Sequence, residues 1–245
     1  YELGKAKSNS LLYIYNAETK KANWVTYDTN LDDWTKSYLG NQPKSADFMQ
    51  AVPLFSKYNS GFTYAAEAPK KELAGPTIEF LKDQTSGDQR LLKIRITPNR
   101  NVNRYDIFAN ENMTLYNFKA NGVQAIGQKG AKYERKRGKK ILSYYVVGNE
   151  PLELEFSLDK FTPFDMELLE SSFDLMRNSL FQMNRRQDWM MPTPFVLNDA
   201  IVIQEKIIPK PVVIPLVKKV IPATQVKDSL NEPKPEIETE TPKIP

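Results

Sequence analysis

The chain has 245 residues, 40% of them apolar, and Lys plus Arg exceed Asp plus Glu by 34 to 30 for a net charge of +4. That is enough chain for one large or two small domains with a real core, too mild a charge for a nucleic-acid surface, and no apolar run long enough to cross a membrane as a helix. Cysteine and histidine are both absent, which excludes disulfides, thiolate nucleophiles, Cys- or His-ligated zinc and every triad built on histidine.

Carboxylate-pair hydrolysis and carboxylate-held Ca²⁺ or Mg²⁺ need only Asp and Glu. The sequence offers no D-x-D-x-D-G loop, P-loop or G-x-G-x-x-G pattern in their support. It argues against catalysis within these residues. The first residues, Tyr-Glu-Leu-Gly, carry neither an initiator Met nor a signal-peptide pattern, as expected of a piece of a longer protein.

In chain order, Leu11–Tyr15 and Ala22–Tyr27 are apolar, aromatic and β-branched. The polar stretch 16–21 between them predicts a β-hairpin. Thr29 or Asn30 then caps a short helix with Asp32 and Asp33 in its first turn. Leu31, Trp34 and Tyr38 share one face of that helix, and Gly40 ends it. From Asn41 to Gly75 the prolines at 43, 53 and 69 predict loops and short elements around Phe48, Phe55, Tyr58, Phe62 and Tyr64.

β rhythm follows. Thr77–Leu81 is a candidate strand, and in Leu92–Ile96 apolar and cationic residues alternate with period two. Arg104–Ala109 and Met113–Phe118, around Asn110-Glu111-Asn112, read as a hairpin. So do Ile141–Val147 and Leu152–Leu158, around Gly148–Pro151, and Asn121-Gly122 is a turn signal. Asp165–Met176 fits helix and strand alike. Phe195–Val202 reads as the last strand. Strands at this spacing with few helices predict an all-β, antiparallel, sandwich-like domain with one or two short helices.

Residues 1–204 form that domain, and 205–245 form a Pro-rich extended or disordered tail. Eight prolines, from Pro209 to Pro245, interrupt regular structure there. The aliphatic residues Val212–Ile214 suit docking on a sheet edge, whereas 231–245 has the composition of a mobile end.

Trp24 and Trp34 fall at apolar positions of predicted elements and read as core. Trp189, Met190 and Met191, in a stretch without periodicity, are candidate interface residues, an aromatic such as Trp189 being able to stack on a ligand. The basic run Lys132–Lys140, with Arg135, Lys136 and Arg137 at its centre, suits a membrane surface or an acidic partner as well as a solvated hairpin tip. Asp28, Asp32 and Asp33 resemble a metal cluster or acid/base pair, but capping explains them. Glu167 and Glu170 read as surface residues one helical turn apart.

"NSLLYIYNAETKKANWVTYDTNLDDWTKSYLG" (9–40) and "DWMMPTPFVLNDAIVI" (188–203) resemble the C-terminal region of bacterial membrane-anchored zinc aminopeptidases. These belong to the twenty-eighth metallopeptidase family, in the subgroup similar to the endoplasmic-reticulum metallopeptidases. Such proteins carry a peptidase domain, then transmembrane helices, then a soluble C-terminal domain. The family's two zinc ions sit on His, Asp and Glu ligands, and without histidine none of that site transfers here. The resemblance implies a non-catalytic, extracytoplasmic (periplasmic) accessory domain, with no cofactor of its own and with zinc in the parent peptidase. Its partners are then the parent's peptidase and transmembrane domains and the membrane surface, with no nucleic acid. The alternative is a free-standing β-sandwich module that binds glycan or another envelope ligand.

Overall fold

The computed structural model describes residues 5–49, 54, 61–135 and 138–209. Strand β1 (Lys7–Asn9) precedes β2 (Leu12–Asn16) and β3 (Lys21–Thr26), which pair as the expected hairpin. Asn16 builds its turn, its side-chain oxygen accepting from the backbone N–H groups of Glu18 and Thr19 at 3.0 and 2.8 Å.

Helix α1 spans Asp33–Leu39 and ends at Gly40, whose φ of 80° suits glycine. Its N-cap is Asp32 rather than Thr29 or Asn30. The Asp32 carboxylate accepts from Thr35 N, and the Thr35 hydroxyl in turn accepts from Asp32 N. That reciprocal capping box needs an acceptor side chain three residues downstream, here the Thr35 hydroxyl.

The chain continues through β4 (Lys44–Ser45), a 3₁₀ turn at Ala46–Met49, β5 (Tyr64–Ala68), β6 (Thr77–Ser86), β7 (Gln89–Thr97) and β8 (Arg104–Ala109). Next come β9 (Tyr116–Ala120), β10 (Val123–Gln124), β11 (Gln128–Lys129), β12 (Lys132–Tyr133), β13 (Lys140–Tyr145) and β14 (Leu152–Asp159). The last are β15 (Met166–Ser172), β16 (Met190–Pro192) and β17 (Ala200–Ile207). Phe55 and Tyr58 lie outside the described residues, as does 210–245 with Val212–Ile214.

Two sheets make an antiparallel sandwich. One runs β11-β12-β9-β14-β7-β6 with β10 added on β9, the other β13-β8-β15-β17-β2-β3-β5-β4. Among the described residues two pairings depart from antiparallel: β17 lies parallel to β2, and β1 lies parallel to β16 in a separate ribbon.

Between the sheets, Leu92, Ile94 and Ile96 of β7 and Leu154 and Phe156 of β14 meet Tyr105 and Ile107 of β8 and Leu168 of β15. The alternate residues Lys93 and Arg95 turn outward and pair with Glu153 at 2.9 and 2.6 Å, the period-two division of a sheet with one wet face. A second cluster joins Tyr13, Trp24, Ile201 and Ile203 to Trp34 and Leu39 of α1 and to Leu175 and Phe181. A third gathers Leu12, Ile14, Val25, Phe108, Leu169 and Val202 beneath Ala46, Met49 and Leu54. Strands β2, β15 and β17 are thus buried on both faces.

Two expected hairpins are crossovers instead. β8 and β9 belong to different sheets, and so do β13 and β14. After β8 the chain turns at Asn110, then inserts Met113 and Leu115 into the core on its way to the other sheet. After β13 it is held to the β7–β8 connection, Val146 N bonding Asn103 O and Val102 N bonding the Asn149 side chain. Turn residues permit a step between stacked sheets as readily as a hairpin within one. Asn121 and Gly122, at φ 48° and 77°, do form the β9–β10 hairpin, as a primed turn requires.

Within Asp165–Met176, Met166–Ser172 forms strand β15, and a bend and a turn follow within 173–176. The last strand begins at Ala200 rather than Phe195 and runs through 204 to Ile207, because its register with β15 extends to the Met166–Ile207 pair.

Candidate functional site

The segment after β15 wraps the α1 side of the eight-stranded sheet. Phe181 sets its ring edge-on to Tyr13, 4.7 Å between centroids. Asn184 receives the Trp34 indole N–H on its carbonyl oxygen at 2.8 Å and donates its own N–H to the Tyr38 hydroxyl at 2.8 Å.

Arg186 follows, its guanidinium carbon 4.1 Å from the Trp34 ring centroid. It donates to both carboxylate oxygens of Asp199, at 2.7 and 2.5 Å, and to the Asn9 side-chain oxygen at 2.6 Å. Asn9 passes its amide N–H to Asp32 at 2.8 Å. One cation therefore ties β1, the cap of α1 and the start of β17 into a single frame. Nothing in the sequence flags Arg186, because its partners lie up to 177 residues away.

This frame presents the expected interface residues. Lys7 N bonds Trp189 O, and β16 lies along β1. Met190 turns into the core, while Trp189 and Met191 stay 44% exposed each. Beside them an open surface cleft of about 380 Å³ is lined by Met176, Arg185, Arg186, Gln187, Asp188, Met190 and Pro192.

The basic run divides differently. Lys136 and Arg137 lie outside the described residues. Arg135 is half-buried and donates to the backbone oxygens of Ala109 at 2.8 Å, Asn110 at 2.7 Å and Met113, clamping the β8–β9 crossover. Arg135→Met is therefore expected to cost about 1–3 kcal/mol, measured by urea unfolding. Lys139→Met, at an exposed position, should stay within about 0.5 kcal/mol. Equal small effects would mean that Arg135 is a free surface charge like its neighbour.

Of the candidate carboxylates, Asp28, Asp32, Glu167 and Glu170 are engaged. Asp28 accepts from Ser10 N and Oγ at 2.9 Å; burial raises its pKa, and the Ser10 bonds oppose the rise. Burial works in the same direction on Asp32, but bonds from Asn9 and Thr35 outweigh it and the pKa lies below the usual value. Asp33 is exposed. Three residues apart on a strand, Glu167 and Glu170 face opposite sides of β15 rather than sharing a helical face.

Glu170 is fully buried. Its carboxylate meets Arg100 Nε at 3.1 Å and the Tyr105 hydroxyl at 3.3 Å. Burial pushes its pKa up to about 7 against the opposing charge of Arg100. Arg100 also donates to Ser172 and to the Glu170 carbonyl, so the cluster fastens the β7–β8 connection to β15.

Among the described residues no three Asp or Glu side chains converge as metal ligands would. Compared with protein-family models and with curated proteins, the chain matches none.

Proposed function

We propose that this chain is a non-catalytic, extracytoplasmic accessory domain of a membrane-bound zinc aminopeptidase, contributing an interdomain surface rather than chemistry. The observation that supports this reading is where its two family-like stretches lie. Residues 9–40 and 188–203 are far apart in sequence but interlock through the parallel β2–β17 pairing and through Asn9, Asp32 and Asp199 around Arg186. Their shared pattern is that of a scaffold, and its conspicuous polar residues hold the fold together. The frame leaves Trp189 and Met191 at a surface where a neighbouring domain can rest.

The test is the coding sequence upstream of Tyr1 together with activity of the longer product. Apolar spans preceded by a His- and Asp-bearing peptidase domain support the proposal, and a signal peptide immediately before Tyr1 overturns it. The isolated 245-residue chain is expected to retain no stoichiometric zinc after dialysis, by elemental analysis, and to release no amino acid from peptides. Tight zinc or sustained turnover in a contaminant-free sample would refute that expectation.

The cleft beside Trp189 favours a second reading, a glycan or envelope-polymer module in which the indole stacks on a sugar. Binding to cell-wall polymer that disappears in Trp189→Ala would select it.

A further inference from the structure

The face of the eight-stranded sheet turned away from the second sheet carries a polar cluster that the proposed function leaves unused. Arg104 and Asp106 stand two residues apart on β8 and so share a face. Ser171 of β15 is the cross-strand partner of Arg104, and Ser143 of β13 is that of Asp106. Four polar side chains therefore meet on one patch of sheet.

Asp106 is fully buried, and its bonds fall on a single oxygen. Oδ1 accepts from Arg104 Nη2 at 2.8 Å and Ser143 Oγ at 2.6 Å, with Lys140 Nζ at 3.0 Å. Among the described residues Oδ2 has no partner, and neither Arg104 Nε nor Ser171 Oγ has one. A guanidinium beside a carboxylate usually closes two parallel bonds. Arg90 does so with Asp83, at 2.7 Å twice, and Arg186 with Asp199. At Arg104 and Asp106 one bond of the fork is made, and the atoms that would make the second stay apart.

Those atoms define what fits between them. Asp106 Oδ2 needs a donor, the Arg104 Nε–H needs an acceptor, and the Ser171 hydroxyl serves as either. A cation would sit against Arg104 and Lys140, and an anion against the Asp106 carboxylate. The occupant is therefore neutral and both gives and receives hydrogen bonds. It is also small, because all three atoms are closed to bulk solvent. Water matches, since a buried water commonly makes about three hydrogen bonds to groups of this kind. We propose that Arg104, Asp106 and Ser171 bind one internal water molecule, wedged between guanidinium and carboxylate as a fixed part of the fold.

High-resolution crystals of the whole chain grown from two different salts test this. One water is expected in both, ~2.7–3.1 Å from Asp106 Oδ2, Arg104 Nε and Ser171 Oγ. Ser171→Val should expel it and let Arg104 and Asp106 close their second bond. Should that variant fail to fold, nuclear Overhauser transfer from a long-lived water to the Asp106 or Ser171 amides of the wild-type chain gives the same reading in solution. A wild-type structure with Nε bonded directly to Oδ2, a larger molecule or an ion in the site, or no such transfer would overturn the proposal.

Discussion

Trp34→Ala is expected to lower stability by ~3–5 kcal/mol, the cost of emptying a well-packed aromatic site. Trp34 is 6% exposed, and its ring meets that of Tyr38 edge-on, 5.3 Å between centroids. Its removal leaves Asn184 O without the indole donor and strips the surface on which Arg186 lies. In a domain of this size that corresponds to a fall in Tm of roughly 6–20 °C, read by calorimetry or near-ultraviolet circular dichroism. Trp189→Ala is the matched control. Its ring is largely outside the core, and the change should remain within about 0.5 kcal/mol. An unchanged Tm for Trp34→Ala would remove the indole from the core and make it available to stack on a ligand.

The second large effect is on pH dependence. Glu170, with its pKa pushed up to about 7 by burial, binds its proton more tightly folded than unfolded, where a glutamate titrates near its ordinary value. Its contribution to stability is therefore fully present below the unfolded pKa and is lost as pH rises through the folded one. Across that window, pH ~4.5 to ~8, the loss amounts to about 3 kcal/mol by linkage. The chain has no histidine, so a carboxyl rather than an imidazole supplies this response near neutrality.

Glu170→Gln keeps the side chain's shape and an acceptor for Arg100 while removing the titration. Wild type minus variant cancels the other groups with shifted pKa values. That difference, from urea midpoints at pH 5, 6, 7 and 8, should move steadily toward the variant as pH rises. A difference independent of pH would show that Glu170 does not titrate in this range.

Much of the local structure was legible because it is written in short-range patterns. Leu92, Ile94 and Ile96 alternate with cations, so β7 and its inward face follow directly. Leu31, Trp34 and Tyr38 mark the buried side of α1 by helical spacing. β15 was ambiguous for a physical reason. Nearly every residue from Met166 to Ser172 is buried, and a strand covered on both faces loses the alternation that distinguishes it from a helix. β8, β9, β13 and β14 were each found, but not the sheets they belong to, since a turn sequence records a reversal and not the layer that receives the chain. The Arg186 frame and the Arg104–Asp106–Ser171 patch were invisible for a related reason. Each is assembled from separate strands by registers that no local motif carries. Arg135 shows the limit of reading charge from composition: a cation in a basic run is used here to cap three carbonyls.

The parallel pairing of β2 with β17 sets a timetable for the chain's birth. Leu11 and Asn198, bonded across 187 residues, cannot meet until nearly the whole domain has left the ribosome. At ordinary rates of synthesis that is a wait of roughly 10–40 s. Throughout it, the apolar strand Leu12–Asn16 has β3 on one side and a bare hydrogen-bonding edge on the other. Such an edge is a template for pairing with another nascent chain. The domain is thus exposed to misassembly until β17 arrives, and truncation within Ala200–Ile207 should raise the fraction of product that aggregates.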